Sequence, residues 1–167
     1  MSSTQENLQE AFAGESQASR RYLFFAEKAE SEGHPQIARL FRAAAEAETV
    51  HAGNHLKAMG GIGSTRDNLE AAISGESYEF TKMYPGFIEQ AESENNKGAR
   101  VSFSFANEVE KIHHALYQKA LEALNAGQKL KDEPYFICQV CGNTAAGEAP
   151  DKCPVCGAPK SKFKKVE

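Results

Sequence analysis

Apolar residues recur every three or four positions along most of the first 126 residues, with polar residues between them. This is the pattern of amphipathic helices. The first such run places Leu8, Ala11, Phe12, Ala18, Tyr22, Phe25 and Ala29 on one stripe; "SSTQE" supplies a capping-box start and Gly33 a stop. A second opens at "HPQ", where Pro35 suits the first helical position, and ends at Gly60-Gly61. A third is expected over 66–95 and a fourth from Lys97–Gly98 to Gly127.

These four segments are two copies of one unit. "NLQEAFAGESQAS" at 7–19 matches "NLEAAISGESYEF" at 68–80 with an offset of 61, and "AESEG" at 29–33 matches "AESEN" at 91–95 with an offset of 62. The body therefore reads as a duplicated helical hairpin. One residue has entered the second copy, expected near "MYPGF", where Pro85 and Gly86 distort the helix.

Helical patterning stops in "NAGQKLKDEPY", residues 125–135, and all four cysteines lie within 138–156. The expected organisation is a four-helix body over 1–126, a linker over 127–134 and a Cys-rich module over 135–167. A chain of 167 residues with 41% hydrophobic composition has material for one core and one small appended module. Its net charge of −4 argues against nucleic acid or an anionic membrane as partner, and the basic "KSKFKKVE" reads as a solvated tail. No apolar run approaches the roughly 18 residues of a membrane span. "MSSTQENLQEAF" lacks the basic-then-apolar pattern of a signal peptide, so a cytoplasmic location is expected. Clustered cysteines there point to metal or redox chemistry rather than disulfides.

Polar residues interrupt each stripe where leucine would be expected. Glu15 falls between Phe12 and Ala18; Ile37, Phe41 and Ala44 lead into Glu48 and His51. Leu69, Ile73, Phe80 and Met83 flank Glu76 and Glu79, and Phe103 and Ala106 lead to Glu110 and His113. The second and fourth helices thus share a Glu-x-x-His unit, which stacks an imidazole one turn from a carboxylate. Buried ionised carboxylates cost several kcal/mol each unless opposite charge compensates them, and no lysine or arginine occupies these positions. A Glu from each of two helices plus Glu-x-x-His from each of two others is the di-metal constellation of ferritin-like bundles. Mixed imidazole and carboxylate donors suit iron or manganese. His55 has no counterpart in the other repeat and reads as a supporting polar residue, and His114, about 100° around the helix from His113, is expected to be exposed.

The module carries Cys138-x-x-Cys141 and Cys153-x-x-Cys156, each pair followed by glycine. Two such knuckles hold one ion in a tetrahedral sulfur cage. Zinc and iron both accept four thiolates, and spacing does not choose between them.

Together, "FAGESQA", "EAETVH", "SGESYEF", "EVEKIH" and "YFICQVCG…CPVCGAPKSKF" resemble the rubrerythrin family over nearly the whole chain. The resemblance implies an all-α ferritin-like four-helix bundle with a C-terminal rubredoxin-like module that holds iron on four cysteines. It implies two iron ions held by Glu15, Glu48, His51, Glu76, Glu79, Glu110 and His113, and one iron on Cys138, Cys141, Cys153 and Cys156. Glu79 is the most diagnostic ligand, because its repeat partner is Ala18. Tyr22 and Tyr84 match family tyrosines that hydrogen-bond around the site. The implied activity is reduction of hydrogen peroxide to water, with electrons relayed through the four-cysteine iron site from an external rubredoxin or NAD(P)H-dependent reductase. A ferroxidase or iron-handling role is the alternative; Glu79 and the electron-carrying tail weigh against it.

The connection between the hairpins has a geometric consequence. Only "GGIGST", residues 60–65, joins the second helix to the third. Seven Cα steps reach at most about 25 Å, whereas a helix of some 24 residues is about 36 Å long. A ferritin-like bundle needs a crossover of that length. The expectation is a domain-swapped homodimer, in which the first hairpin of one chain packs against the second hairpin of its partner.

Overall fold

The computed structural model describes residues 3–166, and its helices begin where local chemistry says they should. The Ser3 hydroxyl accepts from the Glu6 amide while the Glu6 carboxylate accepts from the Ser3 amide, so α1 (Thr4–Ser31) starts on a reciprocal capping box. Ser64 and Asp67 repeat this device at the start of α3 (Thr65–Tyr78). Pro35 opens α2 (Pro35–Ala58), α4 covers Tyr84–Ser93, and Asn96 caps α5 (Lys97–Asn125) through its side chain.

The turn between α1 and α2 needs a left-handed residue, which Gly33 supplies at φ 82°. The corresponding residue of the second copy is Asn95 at φ 55°, Asn being the non-glycine residue that tolerates this conformation best. The duplication is therefore visible in backbone dihedrals as well as in sequence.

The third helical segment is continuous but not uniform. Between α3 and α4, Glu79–Met83 form a π-helical turn in which the Tyr84 amide donates to the Glu79 carbonyl, five residues back. This turn absorbs the residue that changes the repeat offset from 61 to 62. It lies just upstream of the expected "MYPGF", because Pro85 has no amide to donate and its ring crowds the carbonyl four residues earlier, at Thr81.

The chain forms two compact units, divided between Gly63 and Ser64. In the first, α1 and α2 pack along a seam of small residues: Ala18, Ala26, Ala29, Ala38, Ala45 and Ala52 are all buried. Phe41 closes the cluster around Ala26, Ala29 and Ala38 and meets Phe25 edge-on at 5.6 Å. Small residues let two backbones approach closely, so the hairpin is thin. It is one layer, and a single layer leaves one helical face uncovered. Phe25 is 47% exposed and Ile37 49%.

The second unit holds α3, the π turn, α4 and α5 together with the cysteine module. In the module β1 (Tyr135–Cys138) lies between β2 (Thr144–Ala146) and β3 (Phe163–Val166), antiparallel to both. No helix among the described residues is long and apolar enough to cross a membrane.

Candidate metal centres

Glu15, Glu48 and His51 converge in the first unit, and Glu76, Glu110 and His113 in the second; each trio can present ligand atoms within 4.8 Å of one another. The two trios have nearly the same geometry. His51 Nδ1 lies 3.0 Å from Glu48 and 3.9 Å from Glu15. His113 Nδ1 lies 2.7 Å from Glu110 and 3.8 Å from Glu76. In each hairpin the imidazole is one turn beyond its own helix's glutamate and faces a glutamate from the other helix, with Nδ1 turned toward the carboxylates.

Local packing fixes the first trio. One turn from Glu15, the Ser19 hydroxyl meets the Thr49 hydroxyl at 3.0 Å, and Thr49 also donates to the Ala45 carbonyl. This bridge ties α1 to α2 beside Glu48. The carboxylates, expected in a core, are half-buried, and His51 is exposed. A single-layer hairpin gives its inward face no second wall.

Burial and the crowding of carboxylates set the electrostatics. A shared proton with Glu48 pushes the Glu15 carboxyl above its ordinary range, and the same hydrogen bond, with His51 adding, holds Glu48 below it. Burial raises Glu76, and the Glu110 charge adds to the effect. Burial also raises Glu79, helped by Glu76. Tyr84 is pushed up by burial and by the charges of Glu79, Glu110 and Glu76, which places its ring within the field of all three. Glu79 itself, the first residue of the π turn, falls outside the tight trio.

The remaining sequence candidates divide. Tyr22 stacks with Phe25 and Phe41 at centroid distances of 6.2 and 6.1 Å; Tyr84 packs with Phe87 and Phe103. His114, expected to be exposed, is half-buried because the Phe80 ring lies edge-on to it at 5.3 Å. Its charge and that of His55 lower the proton affinity of Glu76 and Glu15 respectively. Thr144 was not legible in the sequence at all: its hydroxyl lies 2.8 Å from His113 Nε2, across 31 positions of chain.

The four cysteines meet in one cluster. Cys138 and Cys156 sulfurs are 3.6 Å apart, and Cys141 and Cys153 sulfurs 3.5 Å. Metal–thiolate bonds of about 2.3 Å in a tetrahedron put sulfurs about 3.8 Å apart, whereas a disulfide needs about 2 Å. The spacing is that of an ion cage. The knuckles are related in detail: Gly142 and Gly157 adopt φ 83° and 77°, and their amides donate to the Cys138 and Cys153 carbonyls. The turns aim amides at sulfur. Burial opposes ionisation of Cys153, yet the Cys156 and Val155 amides and neighbouring thiols bring it down to about 7. Burial outweighs the Asn143 amide at Cys141, whose thiol is pushed up.

A family model described as rubrerythrin matches residues 6–121, and one for the rubredoxin-like domain of rubrerythrin matches 136–164. The chain belongs to the rubrerythrin family. Its relatives include Rubrerythrin-2 of Clostridium acetobutylicum, 39% identical over 96% of this chain and 95% of that protein. Nigerythrin of Nitratidesulfovibrio vulgaris is 35% identical over 96% of this chain and 85% of that one. The solved structure of fully reduced, all-ferrous nigerythrin aligns with a TM-score of 0.59 at 35% identity, over 99% of this chain and 88% of that one. As a rubrerythrin-family member the chain is an oxidoreductase with iron in the bundle and in the four-cysteine cage. The donor sets fit that assignment: two carboxylate–imidazole trios and one four-sulfur cage. Membership carries a di-iron peroxidase role in oxidative stress in general terms.

Proposed function

We propose that the chain is a peroxide reductase that converts hydrogen peroxide to water. The observation that carries this reading is the pair of matched Glu–Glu–His trios, one per hairpin, accompanied by a four-thiolate cage. A storage role gives no account of the cage.

In this proposal Glu15, Glu48, His51, Glu76, Glu79, Glu110 and His113 are the ligands of the iron pair, and residues 1–126 form the catalytic domain. Residues 135–167 form the electron-feeding domain, joined by the 127–134 linker. Iron bound in the bundle would supply the two electrons that, with two protons, convert one peroxide to two waters. The chain's own groups provide the setting. Carboxylates from both hairpins offset the charge of the ions and release protons as the ions bind. Tyr84, held protonated by burial and by its carboxylate neighbours, offers a hydroxyl donor in the same field. Cys138, Cys141, Cys153 and Cys156 would hold the iron that relays electrons singly from a rubredoxin or an NAD(P)H-dependent reductase. The cytoplasm, which keeps thiols reduced, is the compartment that suits it.

The working form is proposed to be a domain-swapped homodimer, in which the first hairpin of one chain meets the second hairpin of its partner. The short 60–65 connection supports this, as do the exposed Phe25 and Ile37.

The test is anaerobic reduction followed by hydrogen peroxide, with the spectrum and dissolved oxygen followed together. Rapid oxidation without oxygen release supports the reductase. Oxygen release would make the protein a catalase, and a slow reaction that prefers dioxygen would make it a ferroxidase.

A further inference from the structure

We propose that Thr144 is a positioning residue for the bundle's metal site: its hydroxyl accepts a hydrogen bond from His113 Nε2 and so leaves Nδ1 free to bind an ion. This rests on the di-metal reading above and extends it to a residue of the cysteine module.

With an ion on Nδ1, the proton inventory gives each bond a direction. The Thr144 hydroxyl has one proton, and the Gly142 carbonyl, 3.4 Å away, can only accept it. Its oxygen is then an acceptor toward His113 Nε2 at 2.8 Å, so Nε2 keeps the imidazole proton when an ion takes the place of the proton that Nδ1 otherwise shares with Glu110. The remaining nitrogen, Nδ1, points at Glu110 and Glu76 at 2.7 and 3.8 Å, where an ion would sit. A ligating histidine is generally held in this way by a partner on its other nitrogen. In this chain the partner comes from strand β2 rather than from the bundle.

One further contact and the burial beside it show that the module is seated on α5 at this point. Val109, one turn before His113, is 3% exposed. Any side chain at Gly142 would come within 3.9 Å of its Cγ1. The knuckle of Cys138 and Cys141 therefore covers Val109, and the strand beyond it delivers Thr144 to His113. His51, the matching imidazole of the first unit, is exposed.

The experiment compares Thr144→Val, which keeps the shape and removes the hydroxyl, with Thr144→Ser, which keeps the hydroxyl. Full-length protein is first loaded with iron at the cysteine cage, whose absorption reports that the module is folded. Zinc is then titrated into the bundle against a chelator, and the His113 side-chain nitrogens are followed by 15N NMR. We expect T144V to weaken bundle binding about 10- to 100-fold, with loss of the slowly exchanging Nε2 proton and an unchanged cage spectrum. T144S should restore both. Wild-type affinity in T144V would overturn the inference. So would equal weakening in T144V and T144S, because packing and not the hydroxyl would then be responsible. Wild-type protein that takes up no zinc in the bundle would instead defeat the di-metal reading, and this inference with it.

Discussion

His51 and His113 occupy equivalent stations 62 residues apart, each with Nδ1 about one hydrogen bond from the glutamate three residues earlier: 3.0 Å to Glu48 and 2.7 Å to Glu110. Duplicated sequence has produced duplicated donor geometry. Each hairpin brings one carboxylate–imidazole trio, and the first also has an apolar face that its own layer does not cover.

That uncovered face gives the first prediction. Ile37 precedes Glu48 by eleven residues, about three helical turns, and so shares its face; it is 49% exposed. Replacing it with aspartate should prevent dimer formation while leaving the hairpin folded, because the buried seam is made of other residues. Analytical ultracentrifugation should show monomers, and metal analysis should show loss of bundle iron with the cage iron retained. A variant that stays dimeric with full iron would count against the swapped assembly.

The carboxylates of the second unit predict a pH effect in metal-free protein. Burial leads the upward shift at both Glu76 and Glu79, with carboxylate repulsion adding. A group whose folded pKa lies above its unfolded value gives its full stability below the unfolded pKa, about 4. That stability is lost as pH rises through the folded value. Metal-free Glu79→Gln should therefore melt above wild type at pH 7, with the gap closing toward pH 4. Thermal melts in chelator measure this, and a gap that does not vary with pH would argue against charge as its cause.

Cys153 is the thiol whose proton affinity is brought lowest, to about 7. Cys153→Ser should abolish the thiolate-to-iron absorption and keep the bundle metals. Chemically reduced protein should still consume one equivalent of peroxide. Sustained turnover from a protein donor should stop, which stopped-flow and steady-state assays can separate.

The left-handed turn at Asn95 yields a stability test. Asn95→Gly should be neutral or slightly stabilising, since glycine adopts φ 55° freely. Asn95→Val should cost about 1–2 kcal/mol, because a β-branched side chain is excluded from that region. Urea denaturation of both variants decides it.

Much of this was legible in the sequence because it depends on neighbours along the chain. The Ser3–Glu6 cap, Pro35, the Glu-x-x-His pairs and the glycines after each cysteine pair are local signals. What was not legible depends on the third dimension. Pro85 marked the distorted helix, but the π turn falls upstream of it, where the missing amide and the ring act. His114 faces away from His113 on a helical wheel, yet Phe80 comes across to meet it. Thr144 sits on a strand of three residues with no periodic pattern, and only folding brings it to His113.

The π turn has a consequence for the iron pair. A faithful copy of the first hairpin would surround both ions identically, and they would gain or lose electrons as twins. The inserted residue, with a glutamate at 79 where the first copy buries Ala18, makes the halves unequal. In the proposed centre the two ions would therefore have inequivalent surroundings, and a loaded sample is expected to show separate Mössbauer signals and stepwise rather than simultaneous reduction.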